Sequence, residues 1–178
     1  MKKIIILDRD GVINYDSSEY IKSPDEWRAI PGSLEAIADL NRFGYKVVIA
    51  TNQSGIGRGY YDVAMLNIIH EKLRRELAAV GGYIDGIFFC PHRPEDNCNC
   101  RKPKPGLLYQ VEQKYQINLN DVHFIGDKLS DVQAARAAGC KPILILSTVS
   151  QEILKNNEEY KDVPCFADLA SAVQFIRL

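Results

Sequence analysis

Two aspartates one residue apart, Asp8 and Asp10, directly follow the apolar run Ile4-Ile5-Ile6-Leu7. In an extended chain residues i and i+2 project to the same side, so these carboxylates can converge. Close anions repel unless a cation or a shared proton offsets them, and a hard dication such as Mg²⁺ matches oxygen ligands. Aspartates after a strand also serve as plain loop openers, so the pair needs company. Thr51-Asn52-Gln53-Ser54-Gly55 follows a second apolar run. It offers a hydroxyl, two amides and the N–H groups of a glycine-containing turn, a set able to hold phosphate oxygens. The same composition also makes an ordinary polar loop closed by side-chain to backbone bonds. Gly126-Asp127-Lys128 brings a third carboxylate after another apolar run, which would complete an oxygen-rich metal site. Asp131 either supports that site from behind or is a first-turn helix residue favoured by the dipole.

Cys90, His92, Cys98 and Cys100 place four soft donors within eleven residues. That density suits tetrahedral Zn²⁺, and four protein ligands leave no open position, so the role is structural. An unligated thiol-rich loop or a disulfide pair are the alternatives. Such a loop would aim the adjoining Arg101 and Lys102 in one direction, Arg as a bidentate phosphate grip and Lys as a point charge. Cys140 and Cys165 sit in apolar surroundings and read as core thiols.

The elements that must position these residues follow from periodicity. Lys3 to Leu7, Lys46 to Ala50, Gly86 to Cys90, Val122 to Ile125 and Pro142 to Leu146 are short apolar runs suited to strands buried on both faces. Helical patterns lie between them. One is capped by Ser33 and stops near Gly44, and one is capped by Asp62 and ends at Gly81-Gly82. Others span Gly106 to about Tyr115, Leu129 to Ala138 with Gly139 as C-cap, and about Asp168 to Phe175. This alternation predicts an α/β fold, a doubly wound Rossmann-like parallel sheet with helices on both faces. Such sheets bind ligands beyond the C-terminal strand ends, where strand order reverses.

The 178 residues fit one domain, 1–178, with 46% hydrophobic and 25% charged residues. Net charge −1 and the lack of aromatic-basic interleaving argue against a nucleic-acid partner. No apolar window approaches a membrane span or a signal-peptide core, so the expected location is the cytoplasm, where thiols stay reduced. A monomer is the expected state.

Asp8-x-Asp10, Thr51, Lys102 and Gly126-Asp127, in this order over most of the chain, resemble the four motifs of the haloacid dehalogenase superfamily of phosphotransferases. The resemblance implies a covalent mechanism, with Asp8 as nucleophile, Asp10 as general acid/base, and Thr51 and Lys102 stabilising the transferred phosphoryl group. It further implies Mg²⁺ held by Asp8, the Asp10 backbone carbonyl and Asp127. The strings Asp8 to Asn14 and Thr51 to Gly59, with the Cys-x-His and Cys-x-Cys-Arg-Lys-Pro loop, resemble the heptose 1,7-bisphosphate 7-phosphatases of that superfamily. These feed nucleotide-activated heptose synthesis for lipopolysaccharide or surface glycan; histidinol-phosphate phosphatases are the neighbouring alternative. A small-molecule sugar bisphosphate is then the substrate. Asp16, Ser17, Ser18 and Glu19 would contact the sugar, with Asn52, Gln53, Ser54, Arg101 and Lys128 near substrate and Arg58 near the cleft. No segment between the first two motifs is long enough for a separate cap domain. A phospho-receiver domain shares the sheet, the aspartates, Thr and Lys, but its phosphorylated Asp lies on the third strand, which here ends at Cys90.

Overall fold

The structure, a computed structural model, describes residues 3–147, 154 and 156–177. Six strands form one sheet in the order β3-β2-β1-β4-β5-β6. They are β1 (Ile4–Leu7), β2 (Lys46–Asn52), β3 (Gly86–Cys90), β4 (His123–Gly126), β5 (Lys141–Ile145) and β6 (Cys165–Phe166). All five pairings are parallel. The helices are α1 (Ser33–Arg42), α2 (Ser54–Gly57), α3 (Val63–Ala79), α4 (Gly106–Tyr115), α5 (Leu129–Ala138) and α6 (Leu169–Ile176).

The runs of β1 and β2 are buried on both faces, as interior parallel strands require, whereas β3 at the sheet edge is only partly buried up to Cys90. Ile5 and Leu7 pack with α1, α3 and α6 on one face, through Ile37, Leu40, Ile69, Leu73 and Val173. Ile4 and Ile6 face the other way, against Leu107, Leu108 and Val111 of α4 and Ala134 and Ala135 of α5. Burying such side chains contributes roughly 1.5–3 kcal/mol each. Consecutive residues of β1 thus anchor opposite helical layers, which fixes the level at which the strand ends and Asp8 begins.

Several boundaries differ from the periodicity. β2 runs on to Asn52, because Thr51 and Asn52 keep their pairing with Phe89 and Cys90. Thr51 is therefore a strand-end residue rather than a loop residue, and the expected turn beyond it is the short helix α2. Ser33 is not the cap of α1; Gly32, at φ +81°, takes that position. The Ser33 hydroxyl instead donates to the Ile13 carbonyl at 2.6 Å, tying α1 to the loop after β1. Asp62 caps α3 as expected, accepting from Met65 N, and Gly139 ends α5 at φ +81°. Strand β6, two residues long, left no periodic signal. Cys140 lies in the core, whereas Cys165 is half-buried on edge strand β6. Among the described residues, 8–32 hold only loops and one 3-10 turn, Pro24–Glu26, so no cap module separates β1 from α1.

Candidate active site

Strand order reverses at the β1–β4 junction, and the polar residues gather beyond the C-terminal ends of β1, β2 and β4. Asp8 follows β1, Thr51 lies near the end of β2, and Asp127 follows β4. Asp8 and Asp127 are buried, at 5% and 0% exposure. Their approach depends on two glycines. Gly11 has φ +86°, and a Cβ there would lie 2.1 Å from Asp127 Oδ2; a Cβ on Gly126 would lie 2.2 Å from Asp131 Cβ.

Lys102 reaches this cluster from the segment before α4. Its backbone is pinned to the end of β2 by a reciprocal pair: Asn52 Nδ2 donates to Lys102 O, and Lys102 N donates to Asn52 Oδ1, both at 3.1 Å. The buried ammonium sits 2.9 Å from Asp8 Oδ1 and 2.7 Å from Asp131 Oδ1, and donates to Ala50 O at 3.0 Å. Burial pulls the Lys102 ammonium down, but Asp131 and Asp8 outweigh it and hold it above its ordinary value. Both roles weighed for Asp131 are present in one residue. Its Oδ2 accepts from Asp127 N and Lys128 N at the start of α5, while Oδ1 meets Lys102.

Asp8, Asp127 and Asp131 bring carboxylate oxygens within 4.8 Å of one another, a hard-donor set able to hold a divalent cation. Burial, only partly offset by Lys102, pushes Asp8 up to about 6; burial and then the Asp8 charge push Asp127 up to about 7. Asp10 has the opposite environment. Its carboxylate is outside that cluster and accepts from Arg9 Nε at 3.0 Å, Arg9 Nη2 at 2.8 Å, Asn14 Nδ2 at 2.9 Å and Gln53 Nε2 at 2.9 Å. Burial raises it, but the Arg9 charge and these donors prevail and hold it below the carboxylate range.

A cleft of about 600 Å³ opens over these groups. Asp16, Ser17 and Ser18 form one wall, Asn52, Gln53 and Ser54 another, and Arg101 and Lys128 also line it. Lys128 Nζ reaches across to Asp16 Oδ2 at 2.7 Å. Two of the residues considered stand off that wall. Glu19 is not on the cleft wall: the turn closed by Tyr20 N to Ser17 O carries it outward, where its carbonyl accepts from Lys22. Arg58, the exposed C-cap residue of α2, is not part of that wall either. The wall includes Tyr20, Tyr61 and Ser130, which no motif marked. The supporting Arg9 and Asn14 were also missed; Arg9, a charge flanked by two aspartates right after a buried strand, was the available signal.

Cys90, His92, Cys98 and Cys100 converge beside β3, their ligand atoms within 4.8 Å of one another. Their S···S separations are 3.6, 3.2 and 3.5 Å, and His92 Nδ1 lies 3.6 and 3.4 Å from Cys90 and Cys100. A tetrahedral ion with Zn–S near 2.3 Å needs edges of about 3.8 Å, so the four atoms surround one ion's space slightly tightly. A disulfide at about 2.05 Å is excluded for every pair. Arg101 donates to the His92 carbonyl at 3.3 Å, which ties it to this loop.

The model of the haloacid dehalogenase-like hydrolases matches residues 2–139. The chain belongs to that family. The D-glycero-beta-D-manno-heptose-1,7-bisphosphate 7-phosphatase of Bordetella bronchiseptica is 48% identical over 172 residues, 97% of this chain and 96% of that protein. The enzyme of that name from Pseudomonas aeruginosa is 53% identical over 144 residues, 81% of each chain. The crystal structure of D,D-heptose 1,7-bisphosphate phosphatase from B. bronchiseptica, complexed with magnesium and phosphate, superposes with a TM-score of 0.94 at 47% identity. It covers 98% of both chains. The motif order of this haloacid dehalogenase-like hydrolase thus coincides with its strand-end geometry.

Cation binding at the carboxylate cluster is expected to release protons. Below about pH 6 Asp8 and Asp127 both hold a proton in the cation-free protein, and the cation must expel it. Apparent Mg²⁺ affinity should therefore weaken as pH falls from 7 to 5 and level off above 7. Calorimetric titration in buffers of different ionisation enthalpy measures it; pH-independent affinity without proton release would contradict the reading.

Proposed function

We infer that this chain is a phosphatase that removes the 7-phosphate of D-glycero-beta-D-manno-heptose 1,7-bisphosphate. The observation that carries the chemistry is the split between two aspartates two residues apart. Asp8 lies in a carboxylate cluster braced by Lys102, while Asp10 lies apart, held by Arg9, Asn14 and Gln53. In the ligand-free site the order of proton affinity is the reverse of what the reaction needs, so Asp8 must lose its proton as a cation binds and Asp10 must gain one as the anionic phosphate approaches.

In this mechanism Asp8 attacks phosphorus, the bond to the sugar oxygen breaks, and Asp10 gives that oxygen its proton. An aspartyl phosphate on Asp8 results. Asp10, now ionised, takes a proton from water as the water attacks phosphorus and frees Asp8. The covalent route splits one hard displacement into two easier ones. Lys102 and the Thr51 hydroxyl hold the phosphoryl oxygens against the repulsion between an anionic nucleophile and an anionic ester. Mg²⁺ fits the oxygen donors of Asp8 and Asp127, with the Asp10 carbonyl, and when bound supplies charge neutralisation there. Asp131 supports the set by holding Lys102 and the backbone of Asp127.

The names of the most similar relatives support the sugar and its β anomer. A bisphosphate also suits the cleft, whose lining includes Arg101 and Lys128 as cations additional to Lys102. Lys128 must trade Asp16 for substrate, so Asp16 can turn to the sugar hydroxyls. Zn²⁺ fits the Cys90, His92, Cys98 and Cys100 set and would act structurally, fixing the loop that carries Arg101 and Lys102. All five cysteines are free, which suits a reducing cytoplasm, and no helix among the described residues is long and apolar enough to cross a membrane. The reading places the enzyme in nucleotide-activated heptose synthesis for lipopolysaccharide or surface glycan.

Steady-state kinetics on both anomers of the bisphosphate and on histidinol phosphate test the assignment. The β anomer is expected to have the highest kcat/KM; a higher value for histidinol phosphate would overturn it. Asp8→Asn should abolish turnover with the fold intact by circular dichroism, and retained turnover would reject Asp8 as nucleophile. Cys98→Ala should lose bound zinc by elemental analysis and reduce activity by loosening Arg101 and Lys102. Unchanged metal content would reject the zinc reading.

A further inference from the structure

Arg9 has no exposed surface, although it is charged and lies between the two aspartates. Its Nε and Nη2 donate to Asp10 at 3.0, 2.8 and 3.1 Å. On its other side Nη1 lies 3.1 Å from Nε2 of His70, a residue of α3 at 3% exposure. A guanidinium can only donate, so His70 Nε2 accepts, and the imidazole is neutral with its proton on Nδ1. Burial, then the Arg9 charge, push His70 down to about 3, in keeping with that state.

The place of His70 is unusual for its surroundings. The other buried residues of α3 are Leu66, Ile69, Leu73 and Leu77. A leucine would pack there as well, but it would offer Arg9 no acceptor. Arg9 Nη1 would then be buried without that partner, at a real desolvation cost. The guanidinium would tilt in search of another acceptor and carry the Asp10 carboxylate with it. A second brace acts on Oδ2, which Arg9 Nη2 also reaches at 3.1 Å. Tyr61 OH donates to Gln53 Oε1 at 2.6 Å, which turns Gln53 Nε2 toward Asp10 and Thr51, each at 2.9 Å.

We propose that His70 is a positioning residue for the reaction: by accepting from Arg9 it fixes the guanidinium that aims Asp10 at the leaving oxygen. The proposal rests on Asp10 as the acid/base of the inferred phosphatase and names a residue outside the reacting groups. His70 touches neither substrate nor nucleophile; it acts through Arg9.

Leaving-group dependence separates positioning from general stability. The sugar leaves as a primary alkoxide, which needs the Asp10 proton, whereas 4-nitrophenolate leaves without it. The constant kcat/KM covers events through leaving-group departure and omits later hydrolysis of the aspartyl phosphate. In His70→Leu, kcat/KM for the heptose bisphosphate should fall about 10-fold or more, a share of what general acid catalysis contributes. For 4-nitrophenyl phosphate it should change little. His70→Gln, which can present an acceptor to Nη1, should keep most of both activities. Equal losses on both substrates, or no loss in His70→Leu, would overturn the proposal. If His70→Leu does not fold, His70→Asn serves, since it is polar but too short to reach Nη1; an Asn variant that matches the Gln variant on the sugar substrate would overturn it too. A wild-type enzyme inactive on the heptose bisphosphate would strike the substrate assignment alone, because the same ratio can be taken with any primary-alkyl phosphate it hydrolyses.

Discussion

Three carboxylates gathered at the ends of neighbouring strands repel one another, and burial removes the water that would screen them. The structure answers with one ammonium, Lys102, placed against Asp8 and Asp131. Everything around the site serves that placement. The reciprocal pair with Asn52 sets the Lys102 backbone, and the Ala50 carbonyl takes a further N–H. Gly11 and Gly126 clear the space into which Asp127 and Asp131 fit. A buried ion pair of this kind is a poor source of stability, since desolvating the charges offsets much of their attraction. What it does is hold together a negative cluster whose oxygens could take a dication.

The same stretch of chain also builds a second charge environment a few ångströms away. Arg9 turns its guanidinium from the cluster toward Asp10, so adjacent residues serve different sites. Asp8 is left short of compensating charge and Asp10 is over-supplied with donors, which drives their proton affinities apart. Division of labour between identical side chains follows from where each neighbouring cation points.

The cysteine–histidine loop, a donor set that could hold a metal ion, adjoins the candidate site without entering it. It lies between β3 and α4, and its last ligand, Cys100, immediately precedes Arg101 and Lys102. Fixing that loop limits the freedom of Lys102 at one end, while Asn52 fixes it from β2. Among the described residues no cap module lies between β1 and α1, and these braces are what order the candidate site.

Much of this was legible in the residues. Apolar runs of four or five residues suited buried parallel strands, and the polar groups that follow them were then expected to collect at one edge of the sheet. The Cys/His spacing needed no long-range information, because its ligands are close in sequence. Asp8, Thr51, Lys102 and Asp127 stood out by type and order. The rest required distance to be known. Glu19 was implied by the family resemblance and Arg58 by its charge, yet a tight turn carries Glu19 off the cleft wall, and local backbone direction is not written in composition. His70 and Tyr61 looked like ordinary members of a helix pattern and its approach. Their partners, Arg9 and Gln53, are 61 and 8 residues away in the chain. Residue types and order thus determined the fold class and marked the candidate reacting groups. Only the tertiary structure decided which charge faces which carboxylate, because that pairing is set by helix packing against the sheet across long sequence separations.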